Sequence, residues 1–204
     1  MKSARNKILD TSIRLFAQKG YAACCIREIC QAAGVTKPVL YYHFHSKEQL
    51  YRELMLDLFN QGRKNLLRLS NSRGSLRDRL VPYVDSEFRN CRKDPSSVRF
   101  MFRMLFSPEE ELPYFNFIDE FQRQRDVIAG FIRERIDAGE RLPDPELTAS
   151  ALMGMMLIQI LEYLFTGRRT LTRRSAGKLV DILLPCSLPG KKAIPAGIAK
   201  GGRR

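Results

Sequence analysis

An all-α fold is predicted by three features of the 204-residue sequence. Apolar residues recur at helical spacing in segment after segment, no run alternates as a half-buried strand would, and the breaks between segments fall at capping residues. The first predicted helix runs from about Ser3 to Lys19, with Ile8, Ser12, Leu15 and Phe16 on one face and Leu9 and Ile13 beside them. Gly20 supplies its stop. A short second helix covers about Ile26 to Ala33 and ends at Gly34, and a short third covers about Lys37 to His43. Ser46 and Gln49 form an S-x-x-Q capping box, in which each satisfies a free amide, and a long fourth helix starts there. Ser75 with Asp78, Asp94 before Pro95, Ser107 before Pro108, and Asp144 before Pro145 mark four more helix starts. The segment from Pro113 to Ala138 sets Ile118, Phe121, Ile128 and Ile132 on one stripe. The next, about Pro145 to Thr166, is apolar on most of its surface, and a last helix runs from about Thr172 to Leu184 and stops at Pro185. Residues 187–204 are rich in Gly, Pro and Lys without a period and are expected to be a disordered basic tail.

The formal net charge of +13 is concentrated at the two ends. Residues 1–50 carry eight lysines and arginines against three acids, and residues 187–204 add five with no acid. Positive charge gathered on a small segment is the footprint of a polyanion-binding surface, although a merely solvated face would show the same excess. No apolar run is long and charge-free enough to predict a membrane span, and the N-terminus lacks the cleavage site of a signal peptide, so a cytoplasmic location is expected. The cysteines, five in number, do not suggest a disulfide framework. Cys24, Cys25 and Cys30 lie close enough in sequence for a redox or metal sensor, but small thiols packing like alanine are the simpler reading. No GxGxxG, GxSxG, HExxH or Walker-type loop is present. The histidines, His43 and His45, fall on different helix faces and do not make a metal pair. An enzyme, a cofactor and a metal site are therefore not expected.

Helix, glycine turn, short helix, three-residue turn, short helix is the arrangement by which a helix-turn-helix presents its second short helix to the DNA major groove. From Gly20 to Leu50 the chain reads GYAACCIREICQAAGVTKPVLYYHFHSKEQL. This resembles the head of the TetR family of ligand-responsive regulators, whose members run GY-x-x-T-S-V-R-x-I-A-x-x-A-G-V-S-K-x-T-L-Y-x-H-F-x-S-K-E-x-L. The match spans about a quarter of the chain, and so long an ordered set of unlike residues is highly specific. Gly34 suits a turn that other residues resist, Ile26, Ile29 and Val35 fill a small core with Phe16 and Leu40, and Pro38 presets the first turn of the reading helix. The resemblance implies that Thr36, Lys37, Pro38 and Val39 meet base edges or nearby phosphates, and that Tyr41, His43 and Lys47 hold the backbone. Arg27 and Lys47 stand at helix starts, where free amides add contacts to anionic oxygens. Tyr41 and Tyr42 cannot share a face, so Tyr41 is assigned to DNA and Tyr42 partly to packing. The sequence departs from the pattern twice. Cys25 stands where a Ser or Thr cap is usual, and a thiol is a poor acceptor. Val39 replaces a small polar residue, exchanging a hydrogen bond for an apolar contact such as one to a thymine methyl.

The rest of the chain is read by architecture. Residues 1–50 form the head, and residues 51–186 form a helical domain for effector binding and dimerisation, because two half-sites one helical turn apart require a two-fold dimer. Leu152, Met156 and Tyr163, with Val180, Leu183 and Leu184, are the candidate dimer surface; the alternative is an intramolecular core helix. The resemblance implies a small-molecule effector, with Phe100, Met101, Met104, Phe117, Phe121, Phe131, Met155 and Gln159 as candidate lining residues, which at helical spacing also suit plain core. Arg99 and Arg103 are candidate partners for a polar group on that effector. The expected protein is a dimeric repressor on a palindromic operator; an activator and a sequence-blind DNA coat are the alternatives.

Overall fold

The computed structural model describes residues 3–70 and 74–184; the predicted tail and Cys186 lie outside the described residues. Among the described residues there are nine α-helices and no strand: α1 (Ala4–Lys19), α2 (Ile26–Ala33), α3 (Lys37–Phe44), α4 (Lys47–Ser70), α5 (Leu76–Lys93), α6 (Pro95–Leu105), α7 (Phe117–Asp137), α8 (Pro145–Thr166) and α9 (Arg173–Leu183). Their starts follow local chemistry. Ser3 accepts from the Asn6 amide, Asp94 from Ser96, and Asp144 from Leu147, while Ser75 and Asp78 close a complete capping box. The box at Ser46 is half made. The Gln49 amide donates to Ser46 Oγ at 3.0 Å, but the Gln49 side chain turns to Glu53 at 3.2 Å, because a carboxylate one turn on is the stronger acceptor. The start expected at Ser107 yields only a 3₁₀ turn, Glu109–Glu111. Helix α7 begins at Phe117, capped by Asn116, which leaves Ile118 exposed instead of on the buried stripe.

Two apolar cores are joined by α6. One contains Ile8, Phe16, Ile29, Leu40, Phe44, Leu50 and Tyr51, with Ile26 and Val35 packed against it, and it also takes in Phe59, Phe100 and Met104. The other is built by α5, α7, α8 and α9 around Tyr83, Phe88, Phe131, Leu152 and Val180. The head core therefore does not close at residue 50. Phe100 of α6 stacks on Phe16 of α1 with ring centroids 5.9 Å apart and meets Tyr51 edge-on at 6.2 Å.

Tyr51 is fully buried, and among the described residues its hydroxyl has no hydrogen-bond partner. Burial raises its pKa to about 12, so the group stays neutral, but a neutral hydroxyl without a partner still costs its desolvation. Tyr51→Phe is expected to stabilise the head by about 1 kcal/mol. A lower urea midpoint for that variant would show that the hydroxyl finds a partner in solution.

Candidate functional site

The head is built to expose one face of α3. Gly34 closes α2 at φ 65° and ψ 39°, a left-handed conformation that favours glycine, and its amide returns to Cys30 and Gln31. The chain reverses there, Val35 donates to the Cys30 carbonyl at 3.0 Å, and Thr36 starts α3 in extended backbone with Pro38 in the first turn. Leu40 and Phe44, one turn apart, are fully buried and fix the helix on α1. What remains outside is a continuous patch: Thr36, Lys37, Pro38, Tyr41, Tyr42 and His45 are exposed, with Val39 and His43 half-buried at its edge. The Thr36 side chain makes no capping bond, so its hydroxyl and the first amides of α3 remain open to an outside acceptor.

Tyr42 is corrected. It is 79% exposed against 43% for Tyr41, and its ring meets only the edge of His43. The i, i+4 pair that packs is Leu40 and Phe44, which turns both tyrosines outward. Arg27, at the start of α2, and Lys37 are exposed and have no carboxylate partner among the described residues. Lys47 already has internal work. Its ammonium lies 4.1 Å from the Tyr21 ring centroid and reaches the Ala22 carbonyl at 3.5 Å, and burial lowers its pKa. It ties the start of α4 to the loop that leads into the reading unit.

At the start of α2, the Cys25 amide donates to Glu28 Oε2 at 3.1 Å, while the thiol stands in the cap position where sulfur accepts only weakly. Cys25→Ser is expected to raise stability by up to about 1 kcal/mol; an unchanged or lower melting temperature would reject it. Glu28 also pairs with Lys19 at 2.7 Å, and these bonds hold its carboxyl at about 2, below its ordinary 4.5. A depressed acid stabilises the fold above the unfolded value, and that contribution is lost as pH falls from 4.5 towards 2. The gap in urea midpoint between wild type and Glu28→Gln is therefore expected to be present at pH 7 and to shrink below about pH 4. Cys24 and Cys30 are buried, with burial pushing both thiols up, in keeping with packing.

In the second domain the six residues chosen as a dimer surface turn inward. Leu152, Met156 and Val180 are buried in the subunit's own core, and Tyr163, Leu183 and Leu184 pack against it. Helix α8 is apolar on two faces, and the stripe through Leu152 and Met156 is the inner one. Its outer stripe runs Leu147, Ala151, Gly154, Ile158, Leu161 and Phe165, spaced alternately by four and three, with Leu147 70%, Ile158 61% and Phe165 85% exposed. By length and composition α8 could also cross a bilayer, contrary to the sequence expectation; here it packs along α7 and α9.

Two adjoining cavities, of about 140 and 370 Å³, open between α4, α5, α6 and α8, and α7 helps wall the smaller. Both are lined by Leu58, Gly62, Glu87, Val98, Met101 and Ile160; the smaller adds Phe59, Phe121, Met156 and Gln124, whose amide donates to Tyr83 at 2.6 Å. Of the predicted lining residues only Met101 and Phe121 reach this space. Phe100 fills the head core, Phe131 and Met155 belong to the second core, Met104 and Phe117 border a separate hollow near Tyr114, and Gln159 lines none of these. Arg99 reaches the Leu164 carbonyl at 3.0 Å and Arg103 the Gln18 carbonyl at 3.0 Å, so both clasp helix ends outside the cavity. Glu87 was missed. Its signal was a carboxylate one turn from Tyr83 and Cys91 on a helix face otherwise destined for burial.

An exposed reading helix on a three-helix head, carried by a helical second domain, defines a helix-turn-helix DNA-binding protein. Residues 8–54 match the family described as bacterial regulatory proteins, tetR family. The HTH-type transcriptional regulator YdgC of Bacillus subtilis is 26% identical over 196 residues, covering 91% of this chain and 93% of YdgC. The fatty acid degradation regulator FadR from Bacillus halodurans superposes with a TM-score of 0.77 at 16% identity, over 93% of this chain and 98% of that one. SmeT in its complex with triclosan gives 0.72 at 18%, over 98% and 100%. Residues 8–54 thus carry the tetR-family head, and over nearly its whole length the chain is similar to HTH-type transcriptional regulators: it is a DNA-binding transcriptional regulator.

Proposed function

We propose that the protein is a cytoplasmic, dimeric repressor that holds a palindromic operator through α3 and leaves it when a small molecule enters the cavity beneath α6. The observation that carries this reading is the double duty of α6. Met101 and Phe102 line the cavity, while Phe100 and Met104, on the neighbouring face, are part of the head core. A ligand that prefers one position of α6 thereby biases the position of α1 and the head, and by linkage operator and ligand oppose each other. Two copies paired through the outer stripe of α8 would present two reading helices to half-sites one helical turn apart. Within each half-site, Thr36, Lys37, Pro38, Val39 and Tyr42 face the bases, and Arg27, Tyr41, His43 and Lys47 the phosphates.

Selection of genomic fragments by the purified protein, followed by sequencing, tests the reading. A short palindrome is expected, with transcription of the adjoining gene rising when the regulator is deleted. Falling transcription would make it an activator. Sequence-blind, salt-sensitive retention would remove the specific role of α3 and leave charge as the explanation.

A further inference from the structure

We propose that the cavity selects an apolar organic cation, a protonated amine or quaternary ammonium, with Glu87 as its counter-ion; this rests on reading the cavity as the effector site. Glu87 stands where the two cavities meet and lines both. Its Oε1 accepts one hydrogen bond, from Asn65 Nδ2 at 3.2 Å, and among the described residues no cation pairs with it. The Arg63 guanidinium, on the same helix as Asn65, is committed to Glu120 and Asn60. The other charged lining residues are Lys93 and Asp94, exposed neighbours of opposite sign at the outer rim.

Glu87 is half-buried, and a carboxylate drawn partly out of water with a single neutral donor is unfavourable unless a positive charge joins it. Burial accordingly pushes Glu87 up towards its neutral form in the empty protein. An incoming cation would restore the ionised form and gain a charge-assisted contact. The surroundings suit the rest of such a ligand. Phe59 and Phe121, edge to face at 5.2 Å, give the smaller cavity an aromatic wall, and Met153 and Leu157 add apolar contact. A carboxylate ligand would instead set two acids against each other, and among the described residues no inner arginine, lysine or histidine lines the cavity to separate them.

Three probes of one shape test this by calorimetry on the full chain: (6-phenylhexyl)trimethylammonium, its neutral tert-butyl isostere, and the matching phenylalkanoate. The cation is expected to bind at least about tenfold more tightly than either analogue. Glu87→Gln keeps an acceptor for Asn65 and is expected to bring the cation to the level of the isostere. Gly62→Ala places a Cβ 3.2 Å from Gln124 Nε2 and 3.8 Å from Glu87 Oε2, and is expected to weaken cation and isostere together because it fills shared space. If cation and isostere bind wild type alike, or Glu87→Gln leaves their ratio unchanged, the ligand class is wrong while the cavity stands. If none of the three binds, the cavity is not the effector site and the proposal falls with it. A Glu87→Gln chain that fails to fold leaves the decision to the wild-type ratio between the three probes.

Discussion

If the proposed dimer forms through the outer stripe of α8, Gly154→Arg is expected to leave each subunit folded and intrinsically more stable, to split that dimer, and to cost about a hundredfold or more in affinity for a two-half-site operator. The two effects have opposite signs for a physical reason. Gly154 lies inside α8, where glycine costs about 1 kcal/mol relative to a good helix former. A Cβ built there meets nothing within 4 Å among the described residues of its own subunit, so the fold does not need the missing side chain. Yet Gly154 is the midpoint of the outer stripe, flanked by Ala151 and Ile158. A glycine that its own chain does not require, in an exposed apolar stripe, would let the backbone of a second copy approach closely in the proposed dimer. Across the two-fold axis of the proposed dimer an arginine would enter twice, and two like charges with their bulk would meet in place of apolar contact. Sedimentation velocity at micromolar concentration checks the assembly, and fluorescence anisotropy with duplexes carrying one or two half-sites checks the binding. Affinity for a single half-site is expected to be nearly unchanged. A variant that remains dimeric would move the interface away from α8.

The head was legible because its geometry is local. The stop at Gly34, the short turn and the proline-started α3 are each written in a few consecutive residues, and the buried pair Leu40 and Phe44 follows from helical spacing. Tyr42 was misjudged because two adjacent aromatics suggest one inside and one outside, whereas the inside positions were already filled by that pair. The second domain was legible as helices but not as surfaces. Helix α8 carries apolar residues on both sides, and periodicity marks stripes without saying which faces the core; only packing on α7 and α9 decides that Leu152 is inner and Ile158 outer. The cavity was the least legible part. Leu58, Glu87, Met101, Phe121 and Ile160 come from five helices and share no sequence pattern, while the phenylalanines chosen by type, Phe100 and Phe131, fill solid core.

Arg103→Met is expected to leave operator affinity and ligand affinity each within about threefold of wild type while removing most of the coupling between them, a factor that in ligand-responsive proteins runs from about 5 to 150. Arg103 extends from α6 to the last turn of α1, where Nη1 donates to the carbonyls of Gln18 at 3.0 Å and Ala17 at 3.5 Å. These are carbonyls that the helix leaves without internal partners, and a cation there is favoured by the helix dipole. The contact depends on Gly20, whose φ of 86° favours glycine and whose missing Cβ would stand 3.3 Å from the Arg103 Nε. Two residues earlier on α6, Met101 borders the cavity. A ligand displacing this part of α6 would thus pull on the end of α1 through these hydrogen bonds as well as through the Phe100–Phe16 stack. Methionine keeps the apolar stem and removes the bonds, so the heads would keep their fold and their DNA but respond less to an occupied cavity. Operator release titrated with the trimethylammonium probe, beside direct calorimetry of the same probe, separates coupling from binding. Release equal to wild type at equal occupancy would assign the transmission to the aromatic stack alone.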